Sequence, residues 1–396
     1  MRALLLGAFA NGTSKVKGAL LSNDANALIG ALKSLGAQFL IKDNLITIEG
    51  IGHKLAQTPT APLDLGNSGI ALRFLTALCS TLSIPVTLTG DASLKSRPMQ
   101  ELVDALDKLY VEVKSKHGLA PITVCGPIKG EKLHTTLEGR DSQPVSALLL
   151  MGALLDQPLE IHVTNPGEKP WVDLTLSWLE RLGVSFERKG YSYYKVLGSG
   201  GFQGFTYEVP ADLSTLSYPV GAALALKQPL NVEGIDFSDP QGDKALFSEL
   251  INMGAKLTIY GKKLEVRATP YLEGKTINVN CMIDALPLLA TLGCIARGET
   301  RIIGGEIART KECDRIHVMS KELKKMGADI TELSDGLIIR CSKLKGAQLD
   351  SHKDHRIGMS LTIAALCAEG SSELKNSECI EKTFPNFFEE LFFSLA

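Results

Sequence analysis

Leu179-Glu180-Arg181-Leu182-Gly183-Val184 reads as the end of an amphipathic helix, a glycine turn and the start of a strand. The phrase recurs. It stands at Leu32-Lys33-Ser34-Leu35-Gly36-Ala37, at Leu106-Asp107-Lys108-Leu109-Tyr110-Val111, at Leu250-Ile251-Asn252-Met253-Gly254-Ala255 and at Leu323-Lys324-Lys325-Met326-Gly327-Ala328. From Gly36 to Tyr110, Gly183, Gly254 and Gly327 the steps are 74, 73, 71 and 73 residues. Glycine just past a helix supplies the left-handed turn that ends it. Tyr110 departs from that rule. One step beyond Gly327, a sixth helix is expected from Phe387 to Leu395.

The repeat sets the architecture. Helical and strand periods alternate within each unit of about 73 residues. In the fifth unit the pattern predicts an apolar helix from Ile283 to Ala296 and a strand at Thr300 to Ile303. A charged helix from Asp314 to Met326 follows, then strands at Asp329 to Thr331 and Gly336 to Ile339. The class is α/β, of the α+β type. Single cores stop growing near 250–300 residues, so six units favour two lobes of three. The link is expected near Glu208-Val209-Pro210, giving lobes 1–208 and 209–396.

Composition narrows the function. The chain has 396 residues, 44% hydrophobic and 22% charged, which is ordinary globular composition. Lys and Arg total 42 against 44 Asp and Glu. No basic excess exists to bind nucleic acid or an anionic membrane surface by bulk charge. The apolar run after Met1 is too short to span a bilayer, which takes about 20 residues. It is also too short for a signal peptide. The eight cysteines form no C-x-x-C pair and the seven histidines no H-E-x-x-H. Reduced cysteines packed as small hydrophobes, in a reducing cytoplasm, are expected.

Polar groups interrupt the pattern at helix starts. Gly66-Asn67-Ser68-Gly69 leads into an apolar helix, and bare amides at a helix start attract anions. A plain turn is the competing reading. Arg97 precedes Pro98, which is able to open a helix at its first position. Five charges crowd Arg309 to Arg315, where surface ion pairing is the alternative. Asp354-His355-Arg356 opens the apolar run Ile357 to Ala368, and Lys382 lies in Glu381-Lys382-Thr383-Phe384-Pro385-Asn386. Asp284 opens its own apolar helix, as a cap or as a poised base. Arg97, Lys311, Arg315, Arg356 and Lys382 together suit a small, multiply charged anion.

These phrases resemble the EPSP synthase branch of the enolpyruvyl transferase family. The matching segments are Leu-Asp-Leu-Gly-Asn-Ser-Gly (63–69), Gly-Asp-Ala-Ser-Leu-x-x-Arg-Pro-Met (90–99), Lys-Glu-x-Asp-Arg (311–315), Asp-His-Arg-Ile-x-Met (354–359) and Lys-Thr-Phe-Pro-Asn-Phe-Phe (382–388). They occur in family order and span most of the chain. The resemblance implies a two-lobed inside-out α/β barrel, a monomer, and no metal or organic cofactor. It implies transfer of the enolpyruvyl group of phosphoenolpyruvate to a hydroxyl of shikimate 3-phosphate, with release of phosphate. It places Gly69, Arg97, Gln143, Arg315, Arg356 and Lys382 on phosphoenolpyruvate. Asp284 would take the proton of the acceptor hydroxyl, Glu312 would serve the enolpyruvyl methylene, and Lys311 would lie between the substrates. Arg2, Asp141, Ser142, Gln143, Glu168 and Trp171 would face the acceptor. The sister branch that acts on a UDP-sugar carries a reactive cysteine in a loop that here, from Thr89 to Arg97, holds none.

The acceptor side departs from the family pattern. Asp141-Ser142-Gln143 stands where the family has Ser-Ser-Gln, Glu168 where it has a serine near the acceptor's phosphate, and Ile70 where it has threonine. Trp171 replaces an aromatic or basic residue, and Ile307 stands where a polar residue is frequent. A carboxylate about 4 Å from a phosphate costs on the order of 4 kcal/mol at an effective dielectric near 20. An acceptor without phosphate, or carrying a cation, is therefore one expected alternative. The family also has a Lys-Ser pair and an edge strand ahead of the arginine matched to Arg2. Their expected absence makes a truncated, non-catalytic phosphoenolpyruvate-binding relative the other alternative. Asp284, Lys311 and Glu312 favour catalysis, since binding alone does not require a proton-transfer pair.

Overall fold

The computed structural model describes residues 1–52 and 57–395. The chain divides into two compact units, Met1–Val209 and Pro210–Ala396. Each unit carries the repeat as a sheet plus two helices.

Unit one holds three sheets of one design. The first runs Thr206–Glu208, Asn11–Lys17, Leu45–Ile51, Gln38–Lys42. The second runs Leu63–Asp64, Pro85–Thr89, Leu119–Cys125, Glu112–Lys116. The third runs Leu133–Glu138, Leu159–Thr164, Tyr193–Val196, Phe186–Lys189. In each, the first two strands pair in parallel and the rest is antiparallel. Lys15 meets Thr206 across the first of these parallel pairs, so the end of the unit closes onto its start. Unit two repeats the order in Thr276–Asn278, Glu299–Ile303, Leu337–Arg340, Asp329–Glu332. It adds a three-stranded sheet, Leu230–Glu233, Lys263–Arg267, Lys256–Tyr260, and a parallel pair, Gln348–Asp350 with Glu373–Lys375.

The helices fall into two kinds. Arg2–Phe9, Gly69–Cys79 and Ser142–Gly152 in unit one are apolar and almost wholly buried. Leu213–Leu226, Leu286–Ile295 and His355–Leu366 do the same in unit two. A helix that is apolar all round belongs in a core. The others are amphipathic and bury one stripe, as Lys169–Arg181 buries Val172, Leu176 and Leu179. The first kind carries Arg2, Asp141 and Arg356 at or beside its N-terminal ends.

The phrase ends work as glycine's chemistry dictates. Gly36, Gly183, Gly254 and Gly327 have φ of 107°, 70°, 94° and 85°. Tyr110 adopts the same turn at φ 60° without being glycine. Its ring is 77% exposed, so solvent takes it and only backbone strain remains. The helix expected over Ile283 to Ala296 is divided. Ile283–Ala285 is a 3₁₀ turn, and the α-helix begins at Leu286 with Pro287 in its first turn, where a missing N–H costs nothing. Pro98 does not open a helix. The helix after it starts at Gln100, because the Met99 N–H goes to the Gly118 carbonyl. Six cysteines are wholly or partly buried, but Cys281 and Cys341 are exposed; all eight are free thiols. Among the described residues no helix is long and apolar enough to cross a membrane.

Two alanine substitutions separate backbone strain from packing. Gly254 has positive φ, and a methyl group added there would meet nothing within 4 Å, so Gly254→Ala is expected to cost about 1–2 kcal/mol through conformation alone. Gly30 sits exposed inside the helix Asn23–Ser34 with equally open space, so Gly30→Ala is expected to stabilise by about 0.5–1 kcal/mol. Urea unfolding of both variants checks the opposite signs.

Candidate active site

In unit one the polar side chains gather where Gly69–Cys79 and Ser142–Gly152 begin. Asn67 accepts from Arg97 Nη2 at 2.5 Å. Arg73, one turn into the first helix, is 6% exposed. Its Nη1 donates to Gln143 Oε1 at 3.0 Å and its Nη2 to the Pro98 carbonyl at 3.2 Å; Nη2 also pairs with Asp141 at 3.3 Å. A Cβ on Gly69 would lie 2.9 Å from Arg97 Nη1 and 3.0 Å from Arg73 Nη1. Glycine is therefore required for the two guanidinium groups to converge on this backbone. The helix has no side-chain cap from Ser68, so its first amides keep their partial positive charge. This favours the anion-binding reading of Gly66 to Gly69 over the plain turn.

The residues expected to face the acceptor lie beside this cluster. Asp141 caps the helix Ser142–Gly152 through the Gln143 N–H at 2.9 Å. Glu168 is buried, and its carboxylate accepts from the Ser142 N–H at 3.0 Å and the Ser142 hydroxyl at 3.1 Å. Arg2 donates from Nε and Nη2 to Thr175 Oγ1 at 3.1 and 2.9 Å, and from Nη2 to the Trp171 carbonyl at 3.3 Å. Trp171 thus enters through its backbone.

In unit two a guanidinium is the centre. Arg315 is 2% exposed in its side chain and pairs with three carboxylates: Asp284 at 2.6 Å, Glu312 at 2.8 Å and Asp354 at 2.7 Å. Asp284 also receives Arg356 Nη2 at 3.3 Å, and Glu312 receives Lys382 at 2.7 Å. Lys382, only 12% exposed in its side chain, is no solvated surface lysine. Asp354 has a second task, capping the helix His355–Leu366 through the Arg356 N–H at 2.8 Å. Asp284 caps no helix, so the cap reading falls. Burial pushes the Asp284 carboxyl up, but Arg356, Arg315 and Lys311 outweigh it and hold it well below the usual carboxylate range. Surface pairing does apply to part of the 309–315 cluster. Arg309 binds Asp314 at 2.7 Å and Glu332 at 2.9 Å at the periphery.

Three residues escaped the sequence reading. Arg73 sits in an otherwise apolar helix, and a lone charge there was a usable signal. Asp354 was seen only as a neighbour of cations. Asp243, in a segment with no motif, is 1% exposed and accepts from the Ser214 hydroxyl, and its second oxygen is buried without a partner. Arg356 Nε and Nη1 are likewise buried with no hydrogen-bond partner. No group of His, Cys, Asp and Glu among the described residues is arranged to hold a metal ion.

The family model for EPSP synthase (3-phosphoshikimate 1-carboxyvinyltransferase) matches residues 1–391. The chain belongs to the EPSP synthase family. A 3-phosphoshikimate 1-carboxyvinyltransferase of Acetivibrio thermocellus is 38% identical over 392 residues, covering 98% of this chain and 91% of the relative. One from Chlamydia pneumoniae is 40% identical over 396 residues, covering 99% and 88%. The solved EPSP synthase of Acinetobacter baumannii superposes with a TM-score of 0.82 at 28% identity, covering 99% of this chain and 92% of that one. The fold is accordingly the two-domain inside-out α/β barrel of this family.

The buried carboxyl of Asp243 gives a pH test. Burial and the Asp284 charge raise it from the ordinary 3.8 to about 7, against the pull of Arg356. Between these values the folded protein holds a proton that the unfolded chain has lost, so its contribution is full below 3.8 and disappears as pH rises through about 7. His355 acts in the opposite sense. Its burial and Arg356 hold it well below 6.5, so its penalty grows as pH falls. Asp243→Asn is therefore expected to gain stability relative to the native protein as pH rises from about 4 to 8. Urea unfolding at several pH values measures that difference; a pH-independent one would refute the assignment.

Proposed function

We propose that this protein transfers the enolpyruvyl group of phosphoenolpyruvate to a hydroxyl of shikimate 3-phosphate and releases phosphate, a step of aromatic amino acid biosynthesis. Family membership supports the reaction, and one observation supports the roles. Asp284 and Glu312, the two candidate proton-transfer groups, are each held by cations: Asp284 by Arg315 and Arg356, Glu312 by Arg315 and Lys382. An anionic substrate that takes those cations frees both carboxylates. Losing its guanidinium partners raises the Asp284 carboxyl towards the range of a working base.

In this reading Arg315, Arg356 and Lys382 of unit two, and Gly69, Arg97 and Gln143 of unit one, serve phosphoenolpyruvate. Arg356 keeps two buried donors for the purpose. Arg2, Asp141, Ser142, Glu168 and Trp171 serve the acceptor side, with Arg2 acting through its hold on Thr175 and the Trp171 carbonyl. The acceptor oxygen adds to C2 while its proton passes to Asp284. A proton reaches C3 by way of Glu312, and Lys311 favours negative charge nearby. The tetrahedral adduct then breaks its C2–O bond to phosphate, which leaves with the electron pair and takes up the proton held by Asp284, as C3 returns a proton to Glu312. Charge developing beside fixed cations is stabilised without reorganisation.

Phosphate release from phosphoenolpyruvate and shikimate 3-phosphate tests the reading. Turnover is expected with this acceptor and not with a UDP-sugar; no release with shikimate 3-phosphate would end it. Asp284→Asn and Glu312→Gln are each expected to lower kcat by about 10²–10⁴, the usual worth of a positioned proton-transfer group.

A further inference from the structure

We propose that Asp243 is a positioning residue for Arg356: uncharged, it leaves the guanidinium to the substrate's anion, and charged, it draws the guanidinium onto its own unpaired oxygen. The inference rests on the function proposed above, since it takes Arg356 as a group that serves phosphoenolpyruvate.

Asp243 is placed by its neighbours rather than by its own carboxyl. Gln241, two residues earlier, accepts from the Leu213 N–H at 2.8 Å and donates to the Ala211 carbonyl at 2.9 Å. These bonds mould the segment onto the start of the buried helix Leu213–Leu226. Asp243 directly precedes the helix Lys244–Asn252 but makes no side-chain cap for it. Its carboxyl accepts from the Ser214 hydroxyl instead, and its other oxygen is buried with no partner. A buried polar atom without a hydrogen bond is uncommon and costly, and calls for a reason.

The same helix supplies one. Ser214 and Tyr218 stand one turn apart, on one face. Ser214 holds Asp243, and the Arg356 guanidinium lies 5.9 Å from the centroid of the Tyr218 ring. Arg356 gives Nη2 to Asp284 at 3.3 Å and keeps Nε and Nη1 buried with no partner. An unused acceptor and two unused donors thus share one buried region.

Among the described residues, Asp243 and Arg356 act on each other's charge, yet no ion pair joins them. An ionised carboxylate with an unpaired oxygen would close onto such a neighbour, since opposite charges attract strongly out of water. A neutral carboxyl gains only an ordinary hydrogen bond. The arrangement is that of an uncharged Asp243. Burial, the charge of Asp284 and, more weakly, that of Asp212 favour this state. Arg356 and the Ser214 hydroxyl oppose it, which leaves the carboxyl at about 7. Lys244, next in the chain, turns its Nζ to the Asp239 carbonyl. Below about 7, Arg356 therefore has Asp284 as its one charged rival for the substrate's anion. Above it, ionised Asp243 becomes a second rival, and capture of phosphoenolpyruvate weakens.

The test follows kcat/KM for phosphoenolpyruvate at saturating shikimate 3-phosphate, from about pH 6 to 9, in the full chain. The native protein is compared with Asp243→Asn and Ser214→Ala. Ionisations of the substrates are common to all three and cancel in the ratios. Asparagine cannot ionise, so the ratio of native to Asp243→Asn is expected to fall about tenfold between about pH 6 and 8, as a competing group near 7 dictates. The ratio of kcat values, and that of KM for shikimate 3-phosphate, is expected to stay flat within about twofold, because saturating phosphoenolpyruvate holds Arg356. Ser214→Ala removes a hydrogen bond that favours the charged carboxylate, so its fall is expected about one pH unit higher than in the native protein. That variant also covers the case in which Asp243→Asn does not fold. A purely structural Asp243 would alter the unfolding midpoint and leave the ratio flat. A flat or rising ratio, an equal fall for shikimate 3-phosphate, or an unshifted Ser214→Ala profile overturns the proposal while leaving the function intact. If the native protein releases no phosphate from the two substrates, the function itself falls and the role of Asp243 with it.

Discussion

A buried guanidinium organises the charged cluster of unit two. Arg315 is drawn out of water and repaid by three carboxylates within 2.8 Å. Such a cluster is a poor source of net stability, since desolvation offsets most of the attraction. What it supplies is position. Asp354 fixes Arg315 and the start of the next helix together, and Arg315 in turn fixes Asp284 and Glu312. The same charges that restrain the two carboxylates are the ones an anionic substrate would claim. In the proposed reaction, proton transfer is linked to substrate binding by charge competition.

The rest of the design follows from repetition. Each repeat buries an apolar helix, and a buried helix presents its N-terminal end as a site of positive potential. Ser68, Asp141, Asp212 and Asp354 all precede such helices. Three are filled by an aspartate cap, which satisfies the amides and cancels their field. The helix at Gly69 lacks a side-chain cap and gathers Arg73 and Arg97 instead. One repeated element thus yields three capped ends and one without a side-chain cap, according to the residue placed at its start.

Much of this was legible along the chain. The steps of about 73 residues marked the repeats because a helix end needs left-handed backbone, which glycine supplies. The family motifs marked Gly69, Arg97, Glu312, Arg315, Arg356 and Lys382 because local spacing carries them. Arg73 was missed although its charge within GIALRFLTALC is anomalous for a buried helix. Asp243 had no local signal, because its significance lies in the desolvation it suffers and in Ser214, 29 residues away. The expectation from the sequence set two carboxylates opposite a phosphate. It could not foresee that Glu168 would bond to Ser142, 26 residues distant.

By itself the sequence determined the repeat, the class of fold and the family, since these depend on periodicity and on motifs read within a few residues. Only the tertiary structure decided which charges pair. Asp284 could have been a cap, Lys382 a solvated surface group, and Glu168 an exposed carboxylate; each reading was consistent with its neighbours in sequence. Partners separated by 31, 70 and 26 residues settled the matter. The physical reason is that the energy of a charge depends on burial and on partners within about 4 Å. Both are properties of the folded chain.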